Sequence, residues 1–103
     1  MVKVSVLYPN NPGAKFDMDY YLSKHIPMVR LKVGPALKAV SVERGVAGGT
    51  PGSAPTYLTT AALSFDSAEA FLAAFGPHAA EIMADVPNYT NVQPVVQVGE
   101  VKL

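Results

Sequence analysis

Two histidines, His25 and His78, carry most of the acid–base chemistry open to this chain. An imidazole titrates near 6.5 and is the side chain best suited to moving a proton at neutral pH. His25 stands in FDMDYYLSKHIPMV, four residues after Tyr21 and two before Pro27. Met18, Leu22, His25 and Val29 recur at helical spacing, which puts the ring on an otherwise apolar stripe. A polar ring there has two uses: proton transfer in a dry pocket, or a structural hydrogen bond to a free carbonyl at a helix end. Tyr8, Tyr20 and Tyr21 supply phenols, which donate hydrogen bonds to a bound carbonyl or a developing enolate. They serve equally as core with a wet tip. Tyr21 shares the His25 face, whereas Tyr20 points about 100° away.

His78 is followed by Glu81 and Asp85. Such a set suits an acid–base pair or part of a metal site. Two ligands on one helix face are too few for a metal, so His25 would have to converge from elsewhere, and a solvated helix start explains His78 more simply. Met18, Met28 and Met83 read as adaptable core or pocket wall. The chain has no cysteine, hence no disulfide, no thiolate nucleophile and no Cys-ligated metal. Gly48-Gly49 does not lie between a strand and a helix, so a nucleotide loop is not indicated. No cofactor is expected.

The elements that must position these residues follow from pattern. Residues 2–8, VKVSVLY, alternate as a strand with Val2, Val4, Val6 and Tyr8 on one side. Pro9 to Gly13 make a turn. Asp17 suits an N-cap, with Phe16 and Tyr21 placed as a hydrophobic staple. Pro27 ends or kinks that helix just after His25, and a shorter piece runs from Met28 to Val33. Residues 37–46 alternate again, a Gly/Pro-rich loop follows, and 56–65 has strand composition. Asp66 is expected to cap a second helix in a box with Glu69, with Phe71, Leu72 and Phe75 on its apolar face and Gly76-Pro77 as its stop. A short helical stretch continues to Pro87. The last strand lies in VQPVVQVGEV, where Pro94 marks an edge or a beginning.

The order is β-α-β-β-α-β, the ferredoxin-like α+β arrangement: a four-stranded antiparallel sheet with both helices on one face. One domain over residues 1–103 fits the length. With 8 Lys+Arg against 8 Asp+Glu, the charge gives no basic excess for nucleic acid. No apolar run approaches the ~20 residues of a membrane span, and MVKVSVLYPN lacks the design of a signal peptide, so a cytoplasmic location is expected. A domain of this size buries about 60–70% of its unfolded surface. Helices cover one sheet face; a second copy is the simplest cover for the other.

YPNNPGAKFDMDYYLSKHIPMV resembles the opening of the EthD family, named for a component of an ethyl tert-butyl ether degradation cluster. The matching pieces are Tyr8-Pro9-Asn10, Phe16-Asp17, Tyr20-Tyr21, and His25 followed by Pro27. VPNYTNVQPVVQVGEV, from Val86, resembles the family's last strand and its lead-in. The resemblance implies a homodimeric α+β barrel binding an apolar or aromatic small molecule between sheet and helices. It implies a cofactor-independent oxidoreductase, or isomerase- or cyclase-type proton transfer, with His25 and Tyr21 in catalysis. Tyr8, Met18, Tyr20, Phe75 and His78 would contact the substrate. The alternative is a non-catalytic carrier or accessory protein for a degradation pathway.

Overall fold

The structure, a computed structural model, describes residues 1–103. Strand β1 (Val2–Pro9) leads into α1 (Met18–Tyr20), a wider π turn over Tyr21–His25, and α2 (Ile26–Val33). Strands β2 (Ala39–Arg44) and β3 (Tyr57–Phe65) follow, then α3 (Ala68–Phe75), α4 (Ala79–Ala84) and β4 (Val95–Glu100). Short 3-10 turns join Val33 to β2, α3 to α4, and α4 to the approach of β4.

The four strands form one antiparallel sheet in the order β2-β3-β1-β4. This is the ferredoxin-like α+β architecture. The registers explain the faces. Val4 lies opposite Leu63 and Val98, and Val6 opposite Ala61 and Val96. Because paired residues share a face, the alternating valines of β1 look toward the helices. The other face carries Ser5, Ala62 and Ser41 in line across three strands.

Burial falls into two clusters. One gathers Val2, Val4, Leu63 and Phe65 from the sheet with Val29, Val33, Phe71 and Ile82 from the helices. The other gathers Tyr8, Tyr21, Ala61, Tyr89 and Val92. Val6 packs against both, so β1 runs from an aliphatic end to an aromatic end.

Three local expectations need correction. Of the two outcomes expected after His25, an end or a kink, the end does not occur. Pro27 cannot donate to the Ser23 carbonyl, and its ring would crowd that group in a regular α turn. The chain absorbs this by widening the turn: the Ile26 N–H reaches back five residues to the Tyr21 carbonyl, and helix resumes with Pro27 in its first turn. Second, Leu22 is exposed. The inward face instead repeats every fourth residue, through Tyr21, His25, Val29 and Val33, which suits a helix wound looser than 3.6 residues per turn at its start. Third, the cap of α3 is Ser67, whose hydroxyl accepts the Ala70 N–H at 3.0 Å. Asp66 stays exposed, so the box with Glu69 does not form. The Asp17 cap and the Phe16–Tyr21 staple are present, at 3.1 Å from the Tyr20 N–H and 5.0 Å between rings.

Candidate active site

Tyr21 and His25 point inward because the wide turn keeps residues four apart on one side of the helix. Their rings stack, 5.3 Å between centroids and 15° from parallel. Tyr8 enters from the end of β1. Tyr89 arrives from the segment before β4, which is pinned to the segment before α1: the Asp17 N–H donates to the Tyr89 carbonyl at 2.7 Å, and the Thr90 hydroxyl to the Lys15 carbonyl at 2.6 Å. Phe16 closes the aromatic group, 4.9 Å from Tyr8 and 5.3 Å from Tyr89.

A chain of polar contacts threads these rings. His25 Nδ1 is 2.9 Å from Asp85 Oδ2. Its Nε2 is 3.5 Å from the Tyr89 hydroxyl, which lies 2.8 Å from that of Tyr8. On the far side, Asp85 Oδ1 accepts from the Tyr20 hydroxyl at 2.7 Å and from Asn88 Nδ2 at 2.9 Å. The imidazole side chain is 6% exposed and the carboxylate 17%. The pair therefore bridges a dry interior and a wet surface.

Burial pushes the His25 pKa down, and the neighbouring Asp85 offsets part of that. Burial would raise Asp85, but hydrogen bonds from Asn88, Tyr20 and His25 outweigh it and hold the carboxyl below its ordinary range. Near neutral pH the pair is a neutral imidazole beside a carboxylate. Nδ1–H then donates to Asp85, and Nε2 keeps its lone pair. Burial raises the phenols of Tyr8, Tyr21 and Tyr89 well above their ordinary value, so they remain neutral donors.

This arrangement has a consequence for stability. The His25 pKa is lower folded than unfolded, so between the two values the unfolded chain binds more protons. Stability then rises with pH up to about 6.5 and falls on acidification below it. Asp85, held low, acts in the same direction further into acid. Melting temperature is therefore expected to drop as pH goes from 7 to 5. His25→Phe is expected to flatten that slope, and an unchanged slope would contradict the assignment.

A cavity of about 270 Å³ lies between sheet and helices. Apart from His25 and three tyrosine hydroxyls its wall is apolar, including Val29, Leu63, Phe71 and Phe75. Its mouth is marked by wall residues that remain open to solvent, Met83 at 39% and Val96 at 51%.

The structure brings His25, Tyr21, Tyr8 and Phe75 to this cavity. It does not bring the other three. Met18 packs against the aromatic cluster from outside, because the wide turn rotates the preceding residues off the inward face. Tyr20 lies in an outer groove with Lys24 and Asp85. His78 sits at the 3-10 turn between α3 and α4, away from the wall, and Glu81 beside it pairs with Lys32 at 2.7 Å. No group of three His, Cys, Asp or Glu side chains converges anywhere. Tyr89, and Asp85 as the partner of His25, are the residues that sequence reading missed. Asp85 was grouped with His78 by proximity in the chain, and nothing local ties it to residue 25.

The model of the EthD domain matches residues 14–93. No curated protein matches the chain. An EthD-like protein from Ralstonia eutropha JMP134 is 44% identical, with a TM-score of 0.93, over 99% of this chain and 92% of that one. An ethyl tert-butyl ether degradation (EthD) family protein from Bacillus halodurans C-125 shares the fold at 21% identity and a TM-score of 0.68, covering 99% of both chains. A dimeric ferredoxin-like protein of unknown function from Thermobifida fusca shares it at 15% identity and 0.56, over 97% of this chain and 90% of that one. From the domain match and the 44% identity together, the chain belongs to the EthD family.

Proposed function

We propose that this protein binds a small apolar or aromatic molecule carrying one oxygen function, and moves a proton on it with His25. The observation that carries this reading is the Asp85–His25 pair, its imidazole buried and its carboxylate half-buried, whose Nε2 lies 3.5 Å from a neutral phenol at the wall of an apolar cavity. In such a site Nε2 takes a proton from the carbon next to a carbonyl. The enolate oxygen accepts a hydrogen bond from Tyr89 or Tyr8. Return of the proton to the same carbon gives exchange with solvent, and where a β,γ double bond extends the enolate, its return to the γ carbon completes an isomerisation, with no atom or electron left over. The 3.5 Å contact between Tyr89 and Nε2 is long for a hydrogen bond, so a ligand oxygen displaces little by entering there.

Size restricts the ligand. A dry cavity of about 150 Å³ takes benzene, and pockets for drug-sized ligands start near 300 Å³. A volume of about 270 Å³ therefore suits a molecule of one or two rings. The test is a panel of one- and two-ring ketones incubated with the protein in deuterated buffer, followed by proton NMR. Exchange next to the carbonyl is expected, and His25→Gln is expected to slow it by about 10²–10⁴-fold while binding persists. Binding with exchange at the buffer rate overturns the catalytic reading and leaves a carrier.

The same reading includes a homodimer. Ser5, Ala62 and Ser41 make a low strip in the middle of the outer sheet face, which lets a second sheet approach closely. Ala62→Arg places a charge at the centre of that contact. Sedimentation is expected to show a dimer for the parent chain and a monomer for the variant. A parent chain that sediments as a monomer at micromolar concentration removes the dimer from the proposal.

A further inference from the structure

Asp85 is held from two sides. Its Oδ2 meets the buried imidazole at 2.9 Å, while its Oδ1 takes the Tyr20 hydroxyl at 2.7 Å and the Asn88 amide at 2.9 Å. Both outer contacts lie on the wet side of the helix layer, in a groove that also holds Lys24. Neither residue touches the cavity. Two donors on one oxygen leave the carboxylate a single orientation, with its other oxygen aimed at Nδ1. A carboxylate at 17% exposure has water within reach, and without those donors it can rotate outward to be solvated. The ring would then lose its Nδ1–H acceptor. A free neutral histidine prefers its proton on Nε2, so the lone pair would leave the cavity side.

We infer that Tyr20 and Asn88 are positioning residues, which fix the orientation of Asp85 and thereby select the His25 tautomer that presents an unprotonated Nε2 to the cavity. The catalytic value of this clamp rests on the function proposed above; the tautomer itself does not. The clamp joins three chain segments: Tyr20 from α1, Asp85 from the end of α4, and Asn88 from the turn that follows. Tyr20 is itself steadied by its stacking on Tyr89, 6.3 Å between centroids and 22° from parallel, and by Lys24 Nζ 5.7 Å from its ring centre. The rule that holds for metal-bound and triad histidines applies to this pair as well: the group behind the ring sets which nitrogen is basic.

The experiment is nitrogen NMR of the full chain with labelled histidine, at neutral pH and without ligand. In the parent protein His25 is expected as the Nδ1–H tautomer. Tyr20→Phe keeps the ring, its stacking and its lysine, and removes only the hydroxyl. Tyr20→Phe and the double variant with Asn88→Ala are expected to shift the population toward Nε2–H, the double variant to more than half. Backbone amide spectra report that each variant keeps the fold, and Tyr20→Phe alone suffices should the double variant not fold. A parent protein already in the Nε2–H form, or a Tyr20→Phe variant still wholly Nδ1–H, overturns the inference. A tautomer shift in the variants, with no ketone exchange by the parent protein, upholds the clamp and overturns the catalytic reading instead.

Discussion

Asp85→Asn is expected to lower proton exchange on a bound ketone by about 10³-fold or more, nearly as much as removal of the imidazole. The amide is uncharged, so the imidazolium formed when Nε2 takes a proton loses its counter-charge. An amide nitrogen turned toward Nδ1 would also force the ring into the wrong tautomer, the effect that makes the equivalent Asp-to-Asn change in serine proteases cost about 10⁴ in rate. Here Asn88 donates to Asp85 Oδ1 and favours an oxygen at that position. The introduced amide therefore turns its nitrogen toward His25. Because the two groups act as one unit, His25→Gln combined with Asp85→Asn is expected to be no slower than the worse single variant. Initial rates of deuterium uptake on a ketone that binds all four proteins give the comparison. Rate losses that multiply would show that Asp85 acts independently of the ring.

Much of the fold was legible because it rests on periodicity. β1 alternates cleanly, the Asp17 cap and Phe16–Tyr21 staple are local, and the order of elements restricts the topology. What stayed hidden depends on contacts between distant parts of the chain. His25 and Tyr21 stand four residues apart and share a stripe, so their association could be read. Asp85 is 60 residues from His25 and Tyr89 is 64, and no local pattern joins them. The place of Tyr20 outside the cavity stayed hidden for a related reason. A helix wheel at 100° per residue rightly turns it away from His25, but its partner at residue 85 becomes visible only once α1 lies beside α4. The strict four-residue repeat of Tyr21, His25, Val29 and Val33 was the one signal for the wide turn. A proline two residues after the histidine masked it by suggesting a break instead.

Stability and chemistry occupy different ends of β1, and the largest loss of stability is expected at the aliphatic end. Phe65 is 1% exposed, pairs across the sheet with Val2, and meets Phe71 edge-on at 5.1 Å. Phe65→Ala removes a ring from a cluster whose other members are all apolar. Such truncations cost about 3–5 kcal/mol, out of roughly 5–15 kcal/mol for a whole domain. Urea titration is expected to show a midpoint lowered accordingly, at unchanged slope. Tyr89→Phe, at the aromatic end, keeps the ring and leaves one phenol short of a partner, so about 1–3 kcal/mol is expected. Phe71 also stacks on Phe75 at 5.2 Å, and both form cavity wall. Loosening Phe65 therefore frees α3, and ligand affinity is expected to fall although residue 65 does not line the cavity. Phe65→Leu refills most of the volume and is expected to recover most of both losses. A Phe65→Ala protein within 1 kcal/mol of the parent would place the main support of the helix layer elsewhere, with the aromatic end carrying it.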